Sequence, residues 1–492
     1  MIMRLSNLIL PNEGLKLEGP DTDIAGITAD SREVKQGYLF AAVPGTQQDG
    51  RKYISDAVAK GAAALLIPED SLPPAPYPVS IVTAPDIRTA LSTVASLFYP
   101  LQPKHIAAVT GTSGKTSIAQ FTRELWQNNG HSAASLGTLG FVTPGEARYG
   151  ALTTPDSITL HKVLNEAAER NITHLAMEAS SHGLDLGRLE KVKIQVAAFT
   201  NLSRDHLDYH PDMQNYLAAK LRLFNDIMPE GGTAVLNADV PEYEQLKKVC
   251  ERKKHRTLSY GKNGQELQLI DYRLQDGGQI IRIKVMGKDH EVSLPVAGEF
   301  QIWNSLCALG MVIGSGDDPA KSIESLEKVT TVPGRLQLIG TSPDGGFVFV
   351  DYAHKPGALE NVLTAMKKQA AASAGRLHVV FGCGGNRDKG KRPQMGAIAQ
   401  RIADIVIVTD DNPRKEIPAE IRKDILAGCA PGPNLREIGD RAEAIRTAIS
   451  ELTKGDILVI AGKGHETGQI VGDKILPFDD ADIARQAING TK

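Results

Sequence analysis

A chain of 492 residues is longer than one hydrophobic core organises, and at ~150 residues per domain it divides into about three. Hydrophobic content of 41% beside 23% charged residues excludes disordered and fibrous classes, and a net charge of −3 with Lys and Arg dispersed excludes a broad basic surface for nucleic acid. Four scattered cysteines, Cys250, Cys307, Cys383 and Cys429, lack metal-ligand spacing and suit a reducing compartment. The opening "MIMRLSNLILPNEG" is too short an apolar run for a signal peptide, and no later run reaches the length of a membrane span. A cytoplasmic protein, a monomer without membrane insertion or nucleic-acid partner, is the expectation.

In chain order, "GYLFAAV", "AAALLI" and "VSIVTA" read as short strands, followed by the helical pattern "DIRTALSTVASLF" and the linker "YPLQPKH". The first domain is therefore placed at 1–99. From "IAAVT" onward apolar strands ("HLAME", "VAAFTN", "GTAVLN") alternate with helices, the rhythm of a mostly parallel α/β sheet over 100–335, up to the Pro-Gly turn of "VTTVPGRLQ". Beyond it "FVFVDY", "RLHVVFG", "ADIVIVTD" and "DILVIAG", separated by helical stretches, predict a Rossmann-like domain over 336–492.

The stretch "VTGTSGKTS" is a shortened phosphate-binding loop, with Val109 where the full pattern has Gly. Strand, Gly-rich turn and the helix "SIAQFTRELWQ" follow in register. Backbone N–H groups of Gly111, Thr112, Ser113, Gly114 and Ser117 would cradle phosphates, Lys115 would reach the terminal ones, and Thr116 would help hold Mg²⁺. A magnesium site needs further hard oxygen or imidazole ligands. Glu178 in "MEASSHGL" and His206 in "NLSRDHLDYH" follow strand ends beside the loop, although either alone reads as a cap or loop residue.

"GTSGKTS", "TTPD", "EASSHGL", "TNLSRDHLDYH", "YLAAK", "VPGRLQ" and "DYAHKPGAL", in this order through all three parts of the chain, resemble the Mur ligases, most of all the members that add the third residue of the peptidoglycan stem peptide. The resemblance implies an α/β protein of three domains: a UDP-binding α/β domain, a central P-loop ATPase-like parallel sheet and a C-terminal Rossmann-like domain. It also implies ATP and Mg²⁺ and a two-step reaction, in which ATP phosphorylates a D-glutamate carboxylate of the UDP-linked dipeptide and an amine then displaces phosphate. Lys115, Arg335 and a metal held by Thr116, Glu178 and His206 would neutralise charge in that transfer. Lys220 of "YLAAK", by default one more exposed lysine, matches a position carbamylated in the family, where it becomes a further metal ligand. Asn237 and Asn304 match positions near adenine, though Asn is also an ordinary turn residue. Asp351 and His354 match residues that close on the nucleotide, with Lys355 and Gly357 departing from the family's usual Thr or Ser and Asp.

By the same likeness Ala29, Ser31, Thr46, Gln47 and Gln48 line the uridine-diphosphate site, and Thr153, Thr154, Ser180 and Arg188 hold the muramoyl-dipeptide, with Leu186 standing where some members carry Gln. "DNPR", Asp411, Asn412, Pro413 and Arg414, resembles the signature of members that add meso-diaminopimelate. Diaminopimelate is lysine with an extra carboxylate, and a guanidinium fork grips a carboxylate through two charge-assisted bonds, so Arg414 is the expected selector. Arg387 would take the other carboxylate, and Gly462 and Glu466 the distal ammonium. Without the rest of the pattern "DNPR" is a plain turn. A sister ligase adding L-lysine or extending folate, and a nucleotide-binding protein without catalysis, are the alternatives. The last would be expected to lose Lys115, Glu178, His206 or Lys220, and all four are present.

Overall fold

The computed structural model describes residues 2–10, 14–45, 48–71 and 78–490. The chain packs as two compact units, Met1–Ser259 with Gly310–Asp317, and Tyr260–Leu309 with Asp318–Lys492.

The first unit opens with a five-stranded sheet in the order Lys16–Glu18, Ser80–Ala84, Ala62–Pro68, Tyr38–Ala41, Gly26–Thr28, parallel except for its first strand. The helix Ile87–Phe98 covers it. Asp86 caps the helix by accepting from the amides of Arg88 and Thr89, and Ile87, Ala90, Leu91, Val94, Ala95 and Phe98 are buried at helical spacing against Leu39, Leu66 and Val82. Each large side chain so buried contributes about 1.5–3 kcal/mol. The helix stops at Tyr99 because Pro100 disfavours helical backbone in the residue before it.

Farther along the same unit, strands run in the order Gly140–Thr143, Ala133–Gly137, His174–Glu178, His105–Thr110, Ile194–Phe199, Thr233–Asn237, parallel from Ala133–Gly137 onward. Almost every residue of these strands is buried, as expected where helices cover both faces. The strand His105–Thr110 is central. Its carboxyl end therefore lies between that of His174–Glu178 and that of Ile194–Phe199, the edge where open α/β sheets hold ligands.

The second unit contains an antiparallel run, Leu267–Gln275, Gly278–Val285 and Lys288–Leu294, absent from the predicted elements. Met286 and Gly287, both at positive φ (48° and 83°), make its second turn the kind that suits a two-residue hairpin. Its larger sheet has the order Gln337–Thr341, Phe347–Asp351, Ile457–Ala461, Leu377–Phe381, Ile405–Val408, Leu435–Glu437, all parallel but the first. The segments after Asp351, Phe381, Val408 and Ala461 thus leave one edge together. A hairpin, Gly468–Val471 with Lys474–Pro477, follows the last of them.

Candidate active site

The shortened loop is shaped by Gly111 at φ 146° and Gly114 at φ 91°. A side chain at Gly111 would meet the Thr200 hydroxyl at 1.8 Å, so only glycine admits the strand behind it. That strand fastens the loop. The Thr112 amide donates to the Asn201 carbonyl at 2.9 Å, the Ser113 amide to Asn201 Oδ1 at 3.0 Å, and the Thr200 hydroxyl to the Ser113 carbonyl at 2.7 Å. Lys115 Nζ donates to the carbonyls of Gly111 and Thr112 at 2.8 and 2.9 Å. Asn237 donates its side-chain amide to the Thr200 carbonyl at 2.8 Å, which ties the expected adenine-side residue to the loop's support.

Glu178, the last residue of its strand, is 2% exposed and held on both oxygens. The Thr138 amide donates to Oε1 at 2.7 Å, and the hydroxyls of Thr138 and Thr116 both donate to Oε2 at 3.2 Å. Thr116 and Glu178, both expected metal ligands, are therefore direct neighbours. Thr153, Thr154, Ser180 and Arg188 join the same network: Thr153 and Thr138 hydroxyls lie 3.2 Å apart, and Thr154 donates to the Glu178 carbonyl at 2.9 Å. The Ser180 amide donates to the Thr154 hydroxyl at 3.0 Å, and Arg188 donates to the Thr154 carbonyl at 2.8 Å.

Lys220 sits on the helix Met213–Arg222, which Asp212 caps, and is 1% exposed. Its Nζ donates to the Gly111 carbonyl at 2.8 Å and lies 4.2 Å from the centre of the Tyr216 ring. Burial, reinforced by the charge of Lys115, pushes this amine well below the ordinary lysine value. Tyr216 pairs its hydroxyl with that of Thr112 at 3.2 Å. His206, at φ 55°, reaches the group through ring contacts with His182 at 5.0 Å and Tyr216 at 6.0 Å. Sequence reasoning missed Thr138, Asn201 and Tyr216. Tyr216 carried a usable signal, since it stands four residues before Lys220 on one helix face.

Of the residues expected at the uridine end, Ala29 is exposed and Ser31 buried just after the strand Gly26–Thr28, the Ser31 carbonyl accepting from Lys60 at 2.9 Å. Gln48 accepts from the Tyr53 hydroxyl at 3.3 Å, while Thr46 and Gln47 lie outside the described residues.

In the second unit, Asp351 is buried and accepts from the amides of Leu336 and Ala353 at 2.7 and 2.8 Å. Burial raises its carboxyl above the ordinary value, against the opposing charge of Arg335. The Arg335 guanidinium lies 4.7 Å over the Tyr352 ring, and His354 Nδ1 pairs with the Tyr352 carbonyl at 2.8 Å. Asn304 donates to Gln301 Oε1 at 2.7 Å.

The "DNPR" turn crosses the carboxyl edge of the larger sheet. Arg414, at φ 52°, has its amide and carbonyl bonded to Ile470 and Gly472 of the hairpin at 2.9 and 2.7 Å, and its guanidinium donates to the Gly385 carbonyl at 3.0 Å. The Pro413 carbonyl comes so close to Gly385 that a side chain there would meet it at 1.9 Å. Asn412 donates to Glu466 at 2.8 Å. Gly462, at φ 118°, leaves room for Asp411, whose carboxylate a side chain there would meet at 2.7 Å. A side chain at Gly384 would likewise meet Arg414 Nη1 at 2.7 Å and Arg387 Cγ at 3.8 Å, so the two arginines flank one spot, with Arg387 exposed. Lys463, fully buried and unforeseen, donates to the Gly468 carbonyl at 2.5 Å and to Asn412 at 3.3 Å.

Three family models match successive segments of the chain. Residues 23–99 match the family model "Mur ligase family, catalytic domain", 109–312 the Mur ligase middle domain, and 334–464 the Mur ligase glutamate ligase domain. The chain is 50% identical over 466 residues to the UDP-N-acetylmuramoyl-L-alanyl-D-glutamate--2,6-diaminopimelate ligase of Agrobacterium fabrum, covering 95% of this chain and 93% of that one. It is 48% identical to the Rhizobium meliloti enzyme of the same name, covering 97% and 96%. A solved structure of a ligase of that name superposes with a TM-score of 0.72 at 33% identity, covering 95% of each chain. MurF from Acinetobacter baumannii, at 18% identity and a TM-score of 0.63 over 94% of this chain and 96% of that one, shares the fold. The chain belongs to the Mur ligase family.

Proposed function

We propose that this chain is the ATP-dependent ligase that joins meso-diaminopimelate to UDP-N-acetylmuramoyl-L-alanyl-D-glutamate in peptidoglycan precursor synthesis. The observation that carries the reading is 50% identity, over 95% of the chain, to a ligase named for that substrate pair. Three domains, at 1–99, 100–335 and 336–492, would receive the nucleotide-linked dipeptide, ATP and the amino acid respectively. The reaction is a cytoplasmic one, carried out by a monomer.

The chemistry follows from a carboxylate being a poor acyl donor. A carboxylate oxygen of the D-glutamate residue attacks the γ-phosphorus of ATP, the bond to the β-phosphate oxygen breaks, and ADP leaves. The amine of diaminopimelate, having lost its proton, attacks the acyl carbon, and phosphate departs with the bonding pair. The loop amides and Lys115 hold the phosphates of ATP, and Thr153, Thr154, Ser180 and Arg188 orient the acceptor, so that the protein contributes positioning and charge rather than covalent chemistry. Thr116 and Glu178 offer hard oxygens suited to Mg²⁺, and a buried carboxylate held on both oxygens fits a cation better than solvent. Mg²⁺ bound there, with His206 and a carbamylated Lys220, would neutralise phosphate charge. In the second unit Arg335, Asn304, Asp351 and His354 are assigned to the nucleotide. Arg387, Asp411, Asn412, Pro413, Arg414, Gly462 and Glu466 are assigned to diaminopimelate.

Phosphate release should require ATP, the nucleotide-linked dipeptide and meso-diaminopimelate together. Turnover of ATP at the same rate with either of the other two omitted would overturn the reading.

A further inference from the structure

At the amino ends of the central strands, away from the phosphate loop, His105 and His174 open neighbouring parallel strands in register. Four residue steps along the strand His174–Glu178 separate this end from Glu178, roughly 13 Å at the usual rise. The two imidazoles stack with centroids 4.5 Å apart. A third ring, His131, follows the helix Lys115–Asn128 and lies 4.1 Å from His174. His131 Nε2 meets the two carboxylate oxygens of Asp317 at 3.1 and 3.0 Å. One ligand atom from each of His131, His174 and Asp317 lies within 4.8 Å of the other two.

We propose that His131, His174 and Asp317 form a binding site for one transition-metal ion of the zinc class, separate from the magnesium chemistry of the ligation. Two imidazoles and a carboxylate are the donors such ions prefer, whereas magnesium selects oxygens. In a tetrahedral site with bonds of ~2.0–2.1 Å, ligand atoms stand about 3.3 Å apart, which modest side-chain rotation reaches from the spacing seen. Outer partners are already in place. Asn129 donates to Asp317 at 2.6 Å, and the Thr173 hydroxyl pairs with His174 Nδ1 at 2.8 Å, the kind of contact that fixes a ligand's orientation. The ion would tie the turn after the loop helix, the start of a core strand and the segment ending at Asp317 together, a structural role that the reaction does not need.

The test uses the full chain, stripped with chelator, held in excess Mg²⁺ and titrated with Zn²⁺ by calorimetry. One equivalent should bind and raise the thermal midpoint, and zinc-edge absorption should show imidazole ligands. His131→Ala, in a half-exposed turn, and Asp317→Asn should each weaken zinc by at least about tenfold, the least that even an outer-shell loss costs. Metal-free His131→Ala should keep the wild-type ligation rate. Unchanged zinc affinity in His131→Ala, or no zinc binding by the wild-type chain, would leave only an ion pair and stacked rings and would overturn the proposal. Should Asp317→Asn fail to fold, His131→Ala decides the matter.

Discussion

Lys115 and Lys220 share one acceptor: each donates to the carbonyl oxygen of Gly111, and both distances are 2.8 Å. Two ammonium groups on one buried carbonyl repel, and the more buried of them gives up its proton more readily. Lys220 is that one. A neutral amine is the form that adds carbon dioxide: the nitrogen–carbon bond forms, a proton leaves, and a carbamate anion replaces a cation that would have opposed a metal.

Carbamylation of Lys220 is therefore expected in the active protein. Growth or incubation with ¹³C-bicarbonate should give a carbamate carbon resonance that Lys220→Ala lacks. That variant should lose ligation, with partial rescue by formate or acetate. Because the carbamate forms from the neutral amine, acidification should lower activity and added bicarbonate should restore part of it. Full activity of Lys220→Ala without added carboxylate would show that the group is not needed.

Gly137 gives a sharper test of Glu178 than removing the carboxylate. A Cβ there would meet Glu178 Oε1 at 2.2 Å, so Gly137→Ala must push the carboxylate off the Thr138 amide without changing its charge. The Mg²⁺ concentration for half-maximal activity should rise about 10- to 100-fold, the usual effect of disturbing a ligand's support. An unchanged magnesium dependence in a folded variant would remove Glu178 from the metal's ligands.

The parts of the fold and site that sequence exposed were those whose signal is local. The loop residues, the apolar strands and Glu178 at a strand end are legible because strand, turn and helix follow within a short stretch. The antiparallel run Leu267–Leu294 went unpredicted although its first turn, Asp276-Gly277 between Gln275 and Gly278, carries the Asp-Gly hairpin signal; only its second turn, Met286 and Gly287, lacks one. Thr138 and Asn201 were invisible because they act on Glu178 and the loop from separate strands, and only the sheet order brings them there. Lys463 reads as a surface lysine in "GKGHE", yet closure of the hairpin buries it completely.

Arg441 and Asp480 form a fully buried ion pair, with two bonds of 2.7 Å, beside the strands that carry "DNPR" and "GKGHE". Arg441 also donates to the carbonyls of Asp410 and Ala461 at 3.2 and 3.0 Å. Asp480→Ala should destabilise the protein by about 3–5 kcal/mol, since it leaves a buried guanidinium without its counter-charge. Urea unfolding followed by circular dichroism measures this, and a loss below about 1 kcal/mol, the worth of an exposed pair, would contradict it.

Arg414→Ala bears on amino-acid choice. Removing the guanidinium leaves the distal carboxylate of diaminopimelate without a partner, and charge-assisted bonds of this kind contribute roughly 1.5 to 3 kcal/mol each. Losing two should lower kcat/KM for meso-diaminopimelate by about two to four orders of magnitude, while L-lysine, which has no such carboxylate, keeps its own rate. A parallel fall for both amino acids would mean that Arg414 supports the fold or the shared end of the substrate.

The most direct test of the proposed function is a competition. The purified protein, saturated with ATP, Mg²⁺ and UDP-N-acetylmuramoyl-L-alanyl-D-glutamate, is given equal concentrations of meso-diaminopimelate and L-lysine, and the products are resolved by mass. The account expects the diaminopimelate tripeptide almost alone, with one ADP formed for each molecule of product. A lysine product in equal or greater amount, or ADP formed without either tripeptide, would contradict it.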